Sequence, residues 1–198
     1  LRGATRPARP DWAALEEATR ACTACALCKG RRQVVPGVGL RSAQVMFVGE
    51  GPGVEEDRRG VPFVGPAGKL LDSMRASIGL SRGATEAASG AYIANAVKCH
   101  PPHNRTPAPE EIQVCHPFLV RQIELVQPRL LVALGRPAAQ SLLGREIKIS
   151  AARGQLFRHR EIPLIVTYHP AYLLRNLGDK ARAWEDLNLI RRTLRAQD

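Results

Sequence analysis

Residues 45–71, VMFVGEGPGVEEDRRGVPFVGPAGKLL, decide how the rest of the chain is read. Val45, Met46, Phe47 and Val48 form a short unbroken apolar run, the pattern of a strand covered on both faces. Gly49, Gly51 and Gly53 follow at once, so the backbone can turn tightly and come close to a ligand with no Cβ in the way. A glycine-rich turn after a strand can be no more than a turn, and this one lacks both the dinucleotide fingerprint and the Gly-Lys-Ser/Thr of a phosphate loop. The second half says more. In GVPFVG, residues 60–65, Phe63 is held between Gly/Pro brackets, which no structural need demands.

Working outward, apolar runs recur at 44–48, 91–97, 130–134 and 164–168, and helical spacing recurs between them. Asp11 is an N-cap for a helix to about Arg20, and Pro66 starts one whose Leu70, Leu71, Met74 and Ile78 share a face. Acidic Glu110 and Glu111 open another, which Pro117 is expected to interrupt or restart. A short helix spans 137–143, and a last one spans 180–194 with Trp184, Leu187, Ile190 and Leu194 inward. Strands alternating with helices predict an α/β fold: a three-layer α/β/α sandwich around a central, mostly parallel four-stranded sheet. Residues 1–10, rich in Arg and Pro, read as a flexible tail, and 11–198 as one domain. In such sheets ligands bind beyond the carboxyl ends of the strands. The Gly49–Gly53 turn, Asn95 and His169-Pro170 all sit at such ends and are expected to converge.

The chain has 198 residues, 44% of them hydrophobic, enough for one sizeable core. No apolar run approaches the ~20 residues of a membrane span, and nothing at the start reads as a signal peptide. The expectation is a soluble, intracellular protein. A net charge of +11 suits a polyanionic partner such as nucleic acid. Arginine carries most of it, since only five of the 29 basic residues are lysine.

Five cysteines without a secretory signal point to metal, cluster or catalytic use. Cys22, Cys25, Cys99 and Cys115 supply the four thiols that close a tetrahedral zinc or an iron-sulfur site. Cys28 is surplus, and by spacing it could replace Cys25 or Cys22.

GEGPG (49–53), GVPFVGPAGKLLD (60–72), NAVKCHPP (95–102), LLVALG (130–135) and YHPAYLLR (168–175) together resemble the motifs of family 4 uracil-DNA glycosylases, the iron-sulfur members of that superfamily. The resemblance covers nearly everything from Cys22 to the last helix. It implies a 4Fe-4S cluster on Cys22, Cys25, Cys99 and Cys115, with Cys28 outside it. It implies Gly49, Glu50, Phe63, Asn95 and His169 as the uracil pocket, with Glu50 and His169 catalytic. Asn95 pairs with the O4 and N3–H edge of uracil, Phe63 stacks on the flipped base, His169 donates to O2, and Glu50 faces the sugar and orients water. Arg105, Tyr172, Leu173 and Arg175 are the expected DNA contacts, with Leu173 and its neighbours filling the gap left by the base.

The expected activity is monofunctional uracil-DNA glycosylase: hydrolysis of the N-glycosidic bond to leave an abasic site, the first step of base excision repair. The expected partner is uracil-containing DNA, single- or double-stranded. It would be met by a monomer in the prokaryotic cytoplasm, nucleoid-associated when acting, with no membrane. One alternative is a noncatalytic or covalent uracil-DNA binder with the same pocket. The shortness of HPPHNRTPAP (100–109), where the covalent relatives carry a basic insert, favours the hydrolase. A further alternative is a nucleotide-binding α/β protein with structural zinc.

Overall fold

The structure, a computed structural model, describes residues 11–197; the expected tail at 1–10 lies outside them. Its centre is one six-stranded sheet. The strands are β1 (Val38–Gly39), β2 (Val45–Gly49), β3 (Ala91–Asn95), β4 (Leu130–Leu134), β5 (Leu156–His159) and β6 (Ile162–Thr167). They lie in the order β1-β3-β2-β4-β6-β5. The inner four, β3, β2, β4 and β6, are parallel, and the edges β1 and β5 pair antiparallel. The sheet thus has six strands where the sequence predicted four. Both extra strands are edges. β1 is two residues long, and β5 alternates exposed and covered residues, so neither shows the apolar run that marks a strand buried on both faces.

The helices are α1 (Trp12–Ala21), α2 (Val54–Arg59), α3 (Pro66–Ala76), α4 (Pro109–Val126), α5 (Arg136–Leu143), α6 (Ile149–Ala152), α7 (Pro170–Arg175) and α8 (Lys180–Arg195). Asp11 does cap α1, its carboxylate accepting from Ala13 N at 3.0 Å. α4 runs through Pro117 without a break. A proline inside a helix costs about 3 kcal/mol, and here the buried stripe of Cys115, Leu119, Ile123 and Val126 holds the helix together across it. In α8, Leu187 and Ile190 are buried as expected, but Trp184 is 45% exposed. Ala183 and Asp186 take the inward positions instead.

Alternation along each inner strand sends side chains to two cores. Val45, Phe47, Ile93 and Val132 join Leu71, Leu187 and Ile190 under α3 and α8. Met46, Val48, Ala94 and Leu131 join Leu119, Ile123 and Leu142 under α4 and α5. The direction in which successive strands are added to the sheet reverses between the parallel neighbours β2 and β4. The connection from β2 leads outward to β3, and that from β4 leads the opposite way to β6, so a crevice opens at their carboxyl ends.

Candidate active site

A cleft of about 1010 Å³ occupies that crevice. Glu50 and the turn behind it line it from β2, Asn95 from β3, Arg136 from β4, and Tyr168 and His169 from β6. Phe63, Arg105, Tyr172 and Arg175 also line it. The three strand ends picked out in the sequence therefore do meet.

Strand register explains the innermost part. Gly49 pairs directly with Asn95. A Cβ at Gly49 would lie 2.4 Å from Asn95 Oδ1 and 2.6 Å from Cζ of Phe63, so only glycine lets amide and ring close on this backbone. Asn95 is 1% exposed, and its Oδ1 is a buried acceptor with no hydrogen-bond partner. Buried polar atoms are normally paired, and one left open at a cleft wall invites a ligand donor. The backbone carbonyl of Asn95 accepts from Lys98 Nζ at 2.6 Å, which fixes the strand exit.

Phe63 stands opposite, its ring 5.5 Å from that of His169 and inclined by 31°. His169 stands two residues past the end of β6 and caps α7: its Nδ1 accepts from Ala171 N at 3.1 Å. With Nδ1 an acceptor, the neutral ring carries its proton on Nε2. Burial, helped by the charge of Arg175 and opposed by that of Glu56, lowers its pKa to about 4. The ring is therefore a neutral donor at physiological pH.

Four acidic residues crowd this region, and three have other partners. Glu55 pairs with Arg58 and Arg59 at the surface. Asp57, buried, accepts from Arg32 N through both oxygens. Glu56 accepts from the backbone of Gly53, Val64 and Gly65. Of these four, Glu50 and Glu56 line the cleft, and Glu50 lacks the backbone contacts that occupy the Glu56 carboxylate. Burial raises its pKa, against a hydrogen bond with Thr106 and the charge of Arg136.

The outer contacts are mixed. Tyr172 stacks on Tyr168 at 5.1 Å, and its hydroxyl donates to Asp179 Oδ2 at 2.7 Å. Arg105 is held in a two-pronged pair with Glu111 at 2.8 and 2.7 Å, leaving fewer donors for phosphate than expected. Leu173 cannot serve as a DNA contact, because it is 1% exposed and packs into the core under α3 and α8. Leu174 in the same helix and Leu177 just beyond its end are exposed apolar side chains, at 41% and 64%. α7 itself was missed, and with it the face on which each leucine falls. Arg136 and Tyr168 were missed too. Their signal was positional: Tyr168 closes the run 164–168, and Arg136 stands just past Gly135, which follows the run 130–134.

The cysteines form a second site. Cys22, Cys25, Cys28, Cys99 and Cys115 all line one small cavity, with Arg31 and buried Lys98 beside them. Arg31 donates to Cys99 Sγ at 3.1 Å and to the carbonyl of Arg20 at 2.8 Å, tying the end of α1 to the loop after β3. Five sulfur donors with two cations facing them suit a multi-iron cluster, whose thiolate ligands carry negative charge. Among the described residues no three His, Cys, Asp or Glu side chains gather on the position of a single ion. Nor is any helix among them long and apolar enough to cross a membrane.

The sequence model of the Uracil DNA glycosylase superfamily matches residues 36–188, from the loop before β1 into α8. The chain belongs to that superfamily. Its relatives include the Type-4 uracil-DNA glycosylase of Archaeoglobus fulgidus, 45% identical over 77% of this chain and 78% of the relative. That of Thermotoga maritima is 43% identical over 85% of each. A Type-5 uracil-DNA glycosylase of Pyrobaculum aerophilum stands further off, 35% identical over 73% of this chain and 68% of the relative. Within the superfamily the chain is a member of the type-4 family.

Proposed function

We propose that the protein is a monofunctional uracil-DNA glycosylase acting in DNA repair, which hydrolyses uracil from DNA and leaves an abasic site. The open Oδ1 of Asn95, facing the cleft between Gly49 and Phe63, carries this reading. Uracil presents O4 as acceptor beside N3–H as donor, and the Asn95 amide matches both, Oδ1 taking N3–H. Cytosine reverses the pattern and would leave buried groups unpaired at about 1 to 3 kcal/mol each.

The base leaves the duplex, at a cost of a few kcal/mol, and rests on the face of Phe63. The bond from sugar C1′ to N1 then breaks, its electron pair leaving with uracil as negative charge shared onto O2. Nε2–H of His169 donates to that oxygen. Glu50, ionised, opposes the positive charge on the sugar and orients water, whose oxygen bonds to C1′ while its proton is released. Arg136, Arg175 and Tyr172, all on the cleft, meet the flanking phosphates. Exposed Leu174 and Leu177 take over the gap-filling role first given to Leu173.

Cys22, Cys25, Cys99 and Cys115 hold a 4Fe-4S cluster, whose contribution is a cross-link pinning the segments before β1 and after β3. The protein works as a monomer on single- or double-stranded DNA beside the nucleoid of a prokaryotic cell. The test is incubation with a uracil-containing oligonucleotide followed by alkali and a denaturing gel. Alkali-dependent scission at the uracil is expected. Intact DNA, or DNA shifted by attached protein, would replace the hydrolase by a binding or covalent relative.

A further inference from the structure

Phe63 has φ 54, in the left-handed region that residues with side chains seldom occupy. Such backbone persists only where its surroundings over-determine it. Here two charged side chains hold the turn from opposite sides. Glu56 takes the N–H groups that follow Phe63, with Oε1 accepting from Val64 N at 2.8 Å and Gly65 N at 3.1 Å. Arg82, in the segment after α3, takes the carbonyls. Its Nη1 donates to Pro62 O and its Nη2 to Phe63 O, both at 2.9 Å. Nε of the same guanidinium donates to Asp72 Oδ1 at 2.9 Å, which orients the fork. Asp72 is shared with buried Arg75. α3 closes the arrangement from below, since a Cβ at Gly68 would lie 1.9 Å from the Phe63 carbonyl oxygen.

We propose that Arg82 is a positioning residue for base recognition: it fixes the backbone of Phe63 so that the ring stands ready to receive the base. The inference rests on the stacking role given to Phe63 above. Arg82 does not line the cleft and acts only through the turn. Its planar fork is what the geometry needs, because two adjacent carbonyls and a carboxylate oxygen are engaged at once. A lysine ammonium offers a single point charge in their place.

A double-mutant cycle tests this, with kcat/KM on a uracil oligonucleotide and the thermal midpoint measured for each variant. Phe63→Ala is expected to lower kcat/KM roughly 5- to 150-fold, the range that base stacking spans. Arg82→Ala is expected to lower it by about tenfold in the parent and by less than about twofold in the Phe63→Ala background. Arg82→Lys should recover part of the loss. Equal factors for Arg82→Ala in both backgrounds, or parent-like activity of Arg82→Ala, would overturn the positioning role while leaving the stacking role of Phe63 standing. Parent-like activity of Phe63→Ala would overturn both. If Arg82→Ala does not fold, the cycle is run with Arg82→Lys and Arg82→Gln and judged by the same coupling.

Discussion

At Asn95 one atom separates two bases. On the proposed reading its open Oδ1 accepts a hydrogen bond from the N3–H that uracil carries and cytosine lacks. Asn95→Asp replaces the amide donor to uracil O4 by an oxygen that can accept from the cytosine amino group, and is expected to slow uracil release roughly 5- to 150-fold, the loss for an unpaired buried group, and to bring cytosine release above the parent's level. Paired oligonucleotides bearing uracil or cytosine measure both, and no gain on cytosine would remove Asn95 from base selection. His169→Ala is expected to slow uracil release by about 10²- to 10³-fold, as for other anion-stabilising donors, with base choice unchanged. The same histidine leaves a trace in stability. Its pKa falls from 6.5 unfolded to about 4 folded, so between these values the unfolded chain binds the extra proton. The stability from keeping it neutral is present above pH 6.5 and is lost as pH falls toward 4. The drop in thermal midpoint across that window should flatten in His169→Ala. These residues were legible from their places at strand ends and from the family motifs. Arg82 was not, because a positively charged residue in a surface segment gives no sign of the carbonyls it will reach.

At the scale of elements, the exit of β3 joins the two sites: Asn95 closes the strand and Cys99 lies four residues on. Cys22→Ala and Cys115→Ala are expected to lose the visible iron-sulfur absorbance and lower the thermal midpoint. Cys28→Ala should keep the parent's iron content, about four per chain. Iron analysis decides, and loss of iron in Cys28→Ala would redraw the ligand set. The inner strands were readable because burial on both faces writes an unbroken apolar run. The edges β1 and β5 were not, having one partner each and mixed side chains. α4 was misjudged at Pro117, where local propensity argued for a break and tertiary packing prevailed. Leu173 and Leu174 differ by one position, and only a helix with a known start tells which one meets solvent.

Across the whole molecule, the net charge of +11 suits attraction to DNA, and the cleft is the place proposed for the strand. Binding of uracil-free DNA should weaken with salt, with log K falling linearly in log salt by about 0.9 per phosphate neutralised. Arg175→Ala is expected to reduce that slope by about one and to weaken binding alike on every sequence, whereas an unchanged slope would take Arg175 off the phosphates. The pairing of Gly49 with Asn95 reaches further than geometry. A slip of one residue between β2 and β3 would turn Asn95 to the opposite face and set Ala94 or Ala96 beside Gly49. If Asn95 reads the base as proposed, the choice of base is made first during folding. On the proposed reading, a molecule whose strands pair out of step would misplace the amide that reads the base and fall silent, without becoming an indiscriminate remover of normal bases.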